Sequence, residues 1–501
     1  MTTLWYRVAP GGHDGRMTDQ ATLSRLGLAT VLLGAFLSIA DFFIVNVALP
    51  TIDTDLHASA ATLELVVAGY GVPYALLLVL GGRLGDLFGR RRLFMLGMAS
   101  FTVCSLLCGI APTAVALVAF RAAQGASAAL MVPQVLATIQ AACEGQRRAK
   151  AIGLYGATAG VAAVVGQLAG GALVAANLGG QGWRPIFLVN VPIGLAGLVL
   201  ARRFVPVTRS AAPARIDWLG TALLAVVVLG LLVPLTEGRA LGWPAWSFAL
   251  LALVVPAALA FVLVERRLEL AGRHPIVPPS LIALPGMRRG LVFAVPFFAG
   301  FGAFMFVSAL TLQRGAHLGP LRSGLALVPM AVAFLLTSLS TARLAARYGR
   351  RVLAVGAFLQ GVGLVGLALT LFADWPHVNA LNLAPAMIVA GAGQGLVMPL
   401  LFGVVLAGVP AERAGVGSGI LTTTQQTALA LGVATLGSLY LSLSASSSLG
   451  VRDAFVVVLA VQTAVAAVLT AGSRLLPEPA RSPAPQPQRV VAPEPALEQA
   501  A

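Results

Sequence analysis

The chain has 501 residues, of which 58% are hydrophobic and 10% charged, and its formal net charge is +15. A soluble domain carries about 25% charged residues, so this chain lacks the polar surface of a water-soluble protein. Apolar runs of about 20 residues, the length that crosses a bilayer core, recur along it. The basic residues lie mostly in short segments between these runs, which argues against nucleic acid as a partner. The composition therefore predicts an all-α integral protein of the lipid bilayer.

The first segment, residues 1–25, is mixed and polar, and we expect it to be cytoplasmic. The apolar run that follows is too long for the core of a cleavable signal peptide, and no small-x-small cleavage site follows it. Met17 is an alternative start, because residues 1–16 show no structural pattern of their own.

Apolar windows between turn residues and charges predict fourteen transmembrane helices. In chain order they are approximately 26–49, 62–82, 93–111, 113–140, 151–175, 185–203, 217–236, 247–265, 290–312, 321–342, 352–372, 383–409, 415–443 and 453–472. With the N-terminus in the cytoplasm, 27 basic residues fall in inside segments and 5 in outside loops. The positive-inside rule then puts both termini in the cytoplasm.

A repeat divides these spans into two sets. RLGDLFGRR (83–91) returns as RLAARYGRR (343–351), and QGASAALMVP (124–133) is echoed by QGLVMP (394–399). Each pair lies eight spans apart, which favours two six-helix bundles with two inserted helices, chance similarity being the alternative. We therefore predict an N-terminal bundle (26–203), two linker helices (217–265), a C-terminal bundle (290–472) and a disordered cytoplasmic tail (473–501).

Two charged residues lie deep inside predicted spans. Asp41 in span one and Arg121 in span four each lie about 8 residues, or about 12 Å, from the outer membrane face. A carboxylate at the centre of a helix costs roughly 2.5–3.5 kcal/mol, and such groups commonly lie on proton pathways. We predict that Asp41 carries the coupling proton and that Arg121 is its partner. A structural hydrogen bond or a static buried ion pair is the alternative.

Aromatic and amide side chains within the spans are candidates for a substrate cavity. They are Asn46, Tyr70, Tyr74, Gln124, Gln167, Phe301, Gln394 and Gln425, together with Phe297, Phe304 and Gln426. Ordinary helix packing is the alternative for each of them.

The segment GGRLGDLFGRRR (81–92) combines a glycine-permitted turn with an acid and four arginines. We predict that it forms a gate latch, whose ion pairs form in one conformation and break in another. Its residues would be Gly82, Asp86, Gly89, Arg90 and Arg91. A charge cluster that only sets topology is the alternative. Span five has four glycines that permit close helix packing: Gly156, Gly160, Gly166 and Gly170.

Other classes of function find no support in the sequence. The three cysteines make neither a disulfide framework nor a four-ligand zinc site, and there is no nucleotide-binding or nucleophile motif. The longest segments between spans are too short for a catalytic domain. We therefore expect no enzymatic activity, no metal and no cofactor, with a proton gradient as the source of energy.

Together these motifs resemble those of the major facilitator superfamily, specifically its fourteen-span drug:proton antiporters of the multidrug and antiseptic exporter type. ADFFIVNVALPTI (40–52) resembles the first-span signature, and GGRLGDLFGRRR the loop motif. RAAQGASAALMVP (121–133), GWRPIFLVNVPIG (182–194) and GSGILTTTQQTALALGVA (417–434) are similar to the motifs of spans four, six and thirteen. The resemblance extends from about residue 25 to 472.

This resemblance implies two bundles that alternate access in the bacterial cytoplasmic membrane and export drugs or amphipathic small molecules as protons enter. It implies coupling roles for Asp41 and Arg121 and a gate role for Asp86. The chain departs from the family where Gln167 follows Gly166 in place of proline, and where Ala346 stands at the acid position of the second loop.

The late spans contain no acid at mid-membrane depth, which favours neutral, zwitterionic or singly charged substrates. We expect a monomer whose partners are protons, a small-molecule substrate and lipid. Transport of one metabolite or of a self-made antibiotic, or import of a polar solute, are the alternatives.

Overall fold

The structure, a computed structural model, describes residues 23–58, 60–208, 217–238, 241–273, 275–410, 413–445 and 450–477. Most of the predicted N-terminal segment 1–25, with the alternative start Met17, lies outside the described residues. So does the predicted tail 473–501 beyond residue 477.

Within these ranges the chain forms fourteen helices long and apolar enough to cross a membrane, which confirms the all-α fold class. The first eight are α1 (Arg25–Leu56), α2 (Ala60–Phe88), α3 (Arg90–Gly109), α4 (Ala114–Ala142), α5 (Gly145–Ala176), α6 (Pro185–Phe204), α7 (Trp218–Glu237) and α8 (Ala245–Leu270). The last six are α9 (Pro285–Gly315), α10 (Pro320–Tyr348), α11 (Arg351–Asp374), α12 (Ala380–Leu406), α13 (Ala414–Ser444) and α14 (Val451–Leu475).

Several helices are longer than the apolar windows that predicted them. The first predicted span ends at 49, whereas α1 continues to Leu56, and the second ends at 82, whereas α2 continues to Phe88. Hydropathy marks only the part of a helix that lies in hydrocarbon, while its hydrogen bonds continue into water. Gly82 is consequently helical, and the turn of the 81–92 motif is made by Gly89, whose φ is +99°.

Two six-helix bundles show the same helix pairing. In the first, α2 and α3 pack on α4, and α1 packs on α5; in the second, α10 and α11 pack on α12, and α9 packs on α13. The repeated Gln-Gly step explains part of this pairing. Gly125 of α4 lies against the carbonyl of Tyr70, and Gly395 of α12 lies against the carbonyl of Phe334. A side chain at either glycine would push the two helices apart.

The bundles meet mainly along two helix pairs. We name the two ends of the molecule after Asp86 and Asp55, which lie on α2 and α1. α5 contacts α10 along its length: Gly324 lies against Leu168 toward the Asp55 end. Toward the Asp86 end, the hydroxyl of Ser338 donates to a carbonyl of α5 at 3.4 Å. The α5–α10 pair therefore joins the bundles at both ends. The second pair is α2 and α13, where Gly82 lies against Gly415.

The inserted helices α7 and α8 lie at the edge of this seam. Val228 and Leu232 of α7 pack against Ala75 of α2, with Ala430 of α13 beside them. α8 packs on α7, and only 11% of its apolar window is buried. Its remaining surface is apolar, which suits contact with lipid. The inserted pair therefore packs on both bundles mainly through α7.

Candidate functional site

A buried ion pair joins the two charged residues that lie deepest in the first bundle. Arg121 Nη1 of α4 donates a hydrogen bond to Asp41 Oδ2 of α1, and neither side chain is exposed. Removing one partner of a buried pair typically costs roughly 3–5 kcal/mol, because the other charge is left uncompensated. The pair therefore holds α1 against α4 while both groups are charged.

Two amide side chains donate hydrogen bonds to the carboxylate of Asp41, and a serine joins the two amides. Its Oδ1 accepts from Asn190 Nδ2 at 2.7 Å and from Gln124 Nε2 at 3.1 Å. Both amides also donate to Ser105 Oγ, at 3.0 and 3.1 Å respectively, and Ser105 donates to the carbonyl of Phe187 at 3.0 Å. The network therefore draws on α1, α3, α4 and α6, all in the first bundle.

The guanidinium of Arg121 is held from several sides. Its Nε donates to the carbonyl of Val66 at 3.3 Å, and Nη1 also donates to Gln124 Oε1 at 2.9 Å. Its Cζ lies 4.4 Å from the centre of the Tyr70 ring, a cation–π contact. The hydroxyl of Tyr70 donates to the carbonyl of Ser38 at 2.8 Å. Nη2 is buried with no hydrogen-bond partner among the described residues.

This arrangement can exist in two states of charge. While Asp41 is ionised, its oxygens accept hydrogen bonds from a guanidinium and two amides, so each buried oxygen has a donor. A proton on Asp41 would remove the charge that Arg121 compensates, and the guanidinium would then require another partner. In the part of the chain that the structure describes, no cluster of His, Cys, Asp and Glu could hold a metal ion.

A cavity of about 10 Å³ lies between the two bundles beside this network. That volume is about the space of one water molecule. Its walls come from α1, α5, α9, α12 and α13, and the lining residues are Ile39, Phe42, Phe43, Ala159, Phe301, Met398, Gln425, Gln426 and Leu429. The rings of Phe43 and Phe301 meet edge to face across the seam, with centroids 6.4 Å apart. The bundles are thus closed around a mostly apolar cavity.

Some of the predicted cavity residues lie at this seam. Phe301, Gln425 and Gln426 line the cavity itself. Gln167 of α5 donates to the carbonyl of Met305 in α9 at 3.4 Å. The glutamine that replaces the proline of the family motif therefore makes a polar contact between the bundles.

Other predicted cavity residues lie elsewhere in this closed conformation. Tyr70 and Gln124 belong to the Asp41 network, and Tyr74 packs against Tyr70 with ring centroids 5.5 Å apart. The remaining candidates are absent from the cavity wall: Asn46, Phe297, Phe304 and Gln394. Periodicity alone could not separate these residues from the lining ones, since they share the same helices.

The residues of the 81–92 motif join the two bundles at the Asp86 end. Asp86 Oδ1 pairs with Arg90 Nη2 at 3.0 Å. Its other oxygen lies against Gly415, in the first turn of α13, where a helix favours a negative charge. A methyl group on Gly82 would lie 2.5 Å from the carbonyl oxygen of Gly415. This contact therefore depends on a glycine in both helices.

The two other residues of the motif act within the first bundle. Gly89 begins α3 with its positive φ of 99°, a conformation that glycine adopts at little cost. Arg91 Nη1 donates to the carbonyl of Val205, just after α6, at 3.3 Å. They fix the start of α3 against the end of α6 and do not reach α13.

Two of the predicted packing glycines of α5 face α1. A methyl group on Gly166 would lie 2.5 Å from the carbonyl oxygen of Ala40, and one on Gly170 would lie 2.8 Å from that of Ile44. Ala40 and Ile44 flank Asp41 along α1. Close packing here therefore positions α1 at the depth of the ion pair.

The other two glycines of α5 face the second bundle. Gly156 lies against Pro399 of α12, where a methyl group would come within 3.1 Å of the proline ring. Gly160 lies against the ring of Phe334 in α10. One helix thus presents glycines both to its own bundle and to the other, which allows it to pack closely against both.

A second ion pair lies at the Asp55 end. Asp55 Oδ2 accepts from Arg184 Nη1 at 2.6 Å and from the indole of Trp183 at 2.9 Å. The hydrogen bond from Arg184, with the one from Trp183, lowers the pKa of Asp55 below its ordinary value. Trp183 is fully buried. These contacts join the end of α1 to the start of α6.

Two residues of the Asp41 network, Asn190 and Ser105, were not among the predicted site residues. Asn190 lies in the apolar run PIFLVNVPIG, where an amide is unusual, and that composition is the signal that could have identified it. Ser105 carries no comparable signal, because a serine hydroxyl can bond to its own helix anywhere.

Comparison with known proteins identifies the family. Residues 31–433 match the Major Facilitator Superfamily. A probable actinorhodin transporter of Streptomyces coelicolor is 36% identical over 440 residues, which cover 87% of this chain and 76% of the relative. The puromycin resistance protein pur8 of Streptomyces alboniger is 36% identical over 417 residues, covering 82% of this chain and 81% of the relative.

A solved structure shares the fold at low identity. The proton:xylose symporter XylE bound to 6-bromo-6-deoxy-D-glucose superposes with a TM-score of 0.62 at 13% identity, covering 90% of this chain and 95% of that one. Three observations point to the same family: the fourteen apolar helices, the paired bundles and the match over most of the chain. This multi-pass membrane protein belongs to the Major Facilitator Superfamily, and antibiotic transport and resistance proteins are among its relatives.

Proposed function

We propose that this chain is a proton-coupled exporter of drugs or other amphipathic small molecules in the bacterial cytoplasmic membrane. It works by alternating access, as a monomer, with no enzymatic step and no cofactor or metal. The Asp86 end and both termini face the cytoplasm, in keeping with the bias of 27 basic residues against 5. Relatives that carry antibiotics or confer resistance to them support the direction of transport.

The observation that carries this proposal is the buried pair of Asp41 and Arg121. A charged pair is costly to bury at this depth, and ionisable residues inside a membrane commonly mark proton or substrate pathways. In the proposed cycle, opening toward the outside lets a proton reach Asp41, which neutralises the carboxylate and releases Arg121. Opening toward the cytoplasm lets the proton leave, and the pair forms again. The proton therefore moves inward while the substrate moves outward.

A chain of aromatic contacts links the pair to the cavity. The ring of Phe42 lines the cavity and lies 5.9 Å from the ring of Tyr70. Tyr70 in turn carries the guanidinium of Arg121 on its face. When protonation of Asp41 frees Arg121, the guanidinium no longer holds the Tyr70 ring in place. The Phe42 ring, which packs against Tyr70, can then move, and the cavity wall moves with it. In this way the state of charge alters the shape of the substrate cavity.

The proton gradient supplies enough free energy for useful export. One proton that moves inward across about 100 mV yields about 2.3 kcal/mol. That free energy corresponds to roughly a 50-fold concentration ratio for a neutral substrate.

The cavity wall defines the class of substrate. Its side chains are aromatic, aliphatic or amide, and none of the lining residues is charged. Such a wall suits neutral, zwitterionic or singly charged amphipathic molecules and offers no carboxylate to a multivalent cation. Export of one antibiotic made by the host is the second candidate, because relatives are named after single antibiotics, actinorhodin and puromycin.

The proposal is tested in everted membrane vesicles with an imposed pH gradient. A pH-sensitive dye reports proton leakage as a panel of amphipathic drugs is added, for the wild type, Asp41→Asn and Asp53→Asn. Asp53 is the matched control, since it is an exposed aspartate of the same helix. We expect some drug to collapse the gradient through the wild type and Asp53→Asn, but not through Asp41→Asn.

Two other results would change the conclusion. If Asp41→Asn responds as the wild type does, Asp41 has a structural role and the coupling site lies elsewhere. If no drug in the panel elicits a response from the wild type, broad drug export is wrong, and the single-antibiotic candidate is then tested with antibiotics related to those of the relatives.

A further inference from the structure

Two carboxyl groups outside the Asp41 network face each other where the inserted helices meet the Asp86 end. Glu265 of α8 is 1% exposed, and Asp217 is the half-buried residue that caps α7. The two carboxyl groups approach each other beside Gly220 of α7. A methyl group on Gly220 would overlap both Glu265 Oε1 and Asp217 Oδ2, so these two oxygens flank the same point.

Each of these carboxyl groups has one oxygen with a donor and one without. Asp217 Oδ1 accepts from the backbone N–H of Gly220 at 2.9 Å, and Glu265 Oε2 accepts from that of Val277 at 2.8 Å. The facing oxygens, Oδ2 and Oε1, are buried and have no donor among the described residues. Two carboxylate oxygens can bond to each other only if one of them carries a proton, and they repel if both are ionised. The geometry therefore fits one proton between them.

Arg83 of α2 faces this pair and interacts with both of its carboxyl groups. Asp86 of α2 and Arg413 at the start of α13 are further charged neighbours of Arg83. Arg83 is almost completely buried, and its Nη2 donates to the carbonyl of Pro275. Arg83 directly follows Gly82, whose contact with Gly415 holds the two bundles together. The pair thus lies next to the contact that closes the Asp86 end.

The segment after α8, residues 275–284, connects these elements, and we call it the connector. Arg83 of α2 holds it at Pro275, and Glu265 holds it at Val277. Ser280 of the connector donates its backbone N–H to Glu269 Oε2 of α8 at 3.0 Å. Its hydroxyl accepts from Arg413 Nη1 at 3.2 Å. The connector is therefore bonded to α2, to α8 and to the start of α13.

We infer that Asp217 and Glu265 form a second proton-binding site, which holds one shared proton and closes the Asp86 end while the proton is present. Loss of this proton leaves two carboxylates in contact. Their repulsion moves α7 from α8, and the doubled negative charge attracts Arg83 away from Pro275. Both changes loosen the connector where it joins α2 to α13. Protonation of this site and closure of the gate are thereby linked, independently of Asp41.

The test measures the conformation of the Asp86 end without transport. Spin labels are placed at Arg92→Cys and Arg347→Cys, two exposed positions on α3 and α10, after the three native cysteines are replaced. The background is Asp41→Asn, so that protonation of Asp41 contributes nothing. Distances are compared at about pH 6 and about pH 9 in Glu265→Gln and in the control Glu144→Gln, which removes an exposed carboxylate before α5 at the same end of the molecule.

We expect the ratio of open to closed conformers to rise about tenfold with pH in the background protein and in Glu144→Gln, as for one proton bound ten times more tightly in the closed state. In Glu265→Gln the amide replaces the shared proton, so the end stays closed at both pH values. Infrared difference spectra should show one protonated carboxyl band that Glu265→Gln lacks.

A pH response in Glu265→Gln equal to that of the background would overturn the inference, as would an unchanged carboxyl band. Asp217→Asn keeps the acceptor that caps α7 and serves as the second variant if Glu265→Gln does not fold. Because every protein in the series contains Asp41→Asn, these results are independent of whether Asp41 couples export to protons.

Discussion

Asn190 donates its side-chain amide to the carboxylate of Asp41 at 2.7 Å, although the two residues lie 149 positions apart in the chain. Asn190 lies near the start of α6 and is 5% exposed. Its amide also donates to Ser105, which fixes its orientation. A neutral donor at this distance stabilises the ionised carboxylate. Asn190 is therefore a positioning residue for the proposed proton site.

Replacement of Asn190 by alanine should change the pH dependence of transport. The ionised form of Asp41 loses one hydrogen bond, worth about 1.5 kcal/mol for a charged acceptor, so the pH profile should move to higher pH by about one unit. Transport as a function of pH in proteoliposomes measures the shift. Asn46→Ala, a change of amide on α1 itself, is the control. A lower rate with an unchanged profile would mean that Asn190 has only a structural role.

The fold was predictable from the sequence because a bilayer imposes a simple requirement. Each span needs about 20 apolar residues with its backbone bonds satisfied internally, so hydropathy windows identify all fourteen helices. The helix ends could not be predicted in this way. α1 continues to Leu56, where Asp55 meets Trp183 and Arg184, and these contacts lie in the aqueous part of the helix that hydropathy does not register.

The site was only partly predictable. Asp41 and Arg121 are conspicuous because charge is rare and costly in a span. Asn190 reaches Asp41 only through the packing of α6, a tertiary property that no local pattern encodes. Asp217 and Glu265 lie at span ends, where an acid ordinarily faces water. Their burial comes from the connector folding back over α8, which the sequence does not indicate.

A methyl group on Gly82 should open the Asp86 end. In Gly82→Ala it would lie 2.5 Å from the carbonyl oxygen of Gly415, so α2 and α13 must separate. Overpacking of this kind costs about 1–3 kcal/mol, which shifts the ratio of closed to open conformers by roughly 5-fold to 150-fold. The spin-label pair at positions 92 and 347 measures the shift.

Gly403→Ala provides the matched control for Gly82→Ala. Gly403 is also a helical glycine, in α12, but no atom lies within 4 Å of an added methyl group. Gly403→Ala should leave the distribution of distances between the two spin labels unchanged. If Gly82→Ala also leaves it unchanged, the contact of Gly82 with Gly415 does not determine closure.

The ion pair of Asp55 should make a small, pH-dependent contribution to stability. Hydrogen bonds from Arg184 and Trp183 lower the pKa of Asp55 in the folded protein. Its contribution is therefore present above the unfolded pKa of about 3.9 and is lost as the pH falls through the folded pKa. Because the Asp55 side chain is 43% exposed, water and salt weaken the pair.

Thermal unfolding in detergent measures this contribution. Asp55→Asn should lower the melting temperature at about pH 7 by at most about 2 °C. The difference from the wild type should shrink as the pH falls through the folded-state pKa, because the wild-type carboxyl group then becomes protonated as well. Asp53→Asn, two residues earlier on the same helix, is the control and should show no such trend. A difference that grows with acidity would contradict the assigned direction of the pKa shift.

Substrate size should be set by the contact of Phe43 with Phe301. Their rings meet across the closed cavity with centroids 6.4 Å apart, so a bulky substrate has to displace one of them. Phe301→Leu removes the ring from the second bundle while keeping an apolar side chain. We expect transport of the bulkiest drugs in a graded panel to improve relative to the smallest by about tenfold, the lower end of the effect of one methylene group in an apolar pocket.

Phe298→Leu separates this effect from general destabilisation. Phe298 is also buried in α9, but its ring stacks on Phe402 at 5.9 Å within the second bundle and does not line the cavity. Both variants remove the same number of atoms from the same helix, so both should lower stability to a similar degree. A change in size preference confined to Phe301→Leu means that substrate contacts this ring. The same change in both variants would place the determinant of substrate size in the packing of α9 and not in the cavity wall.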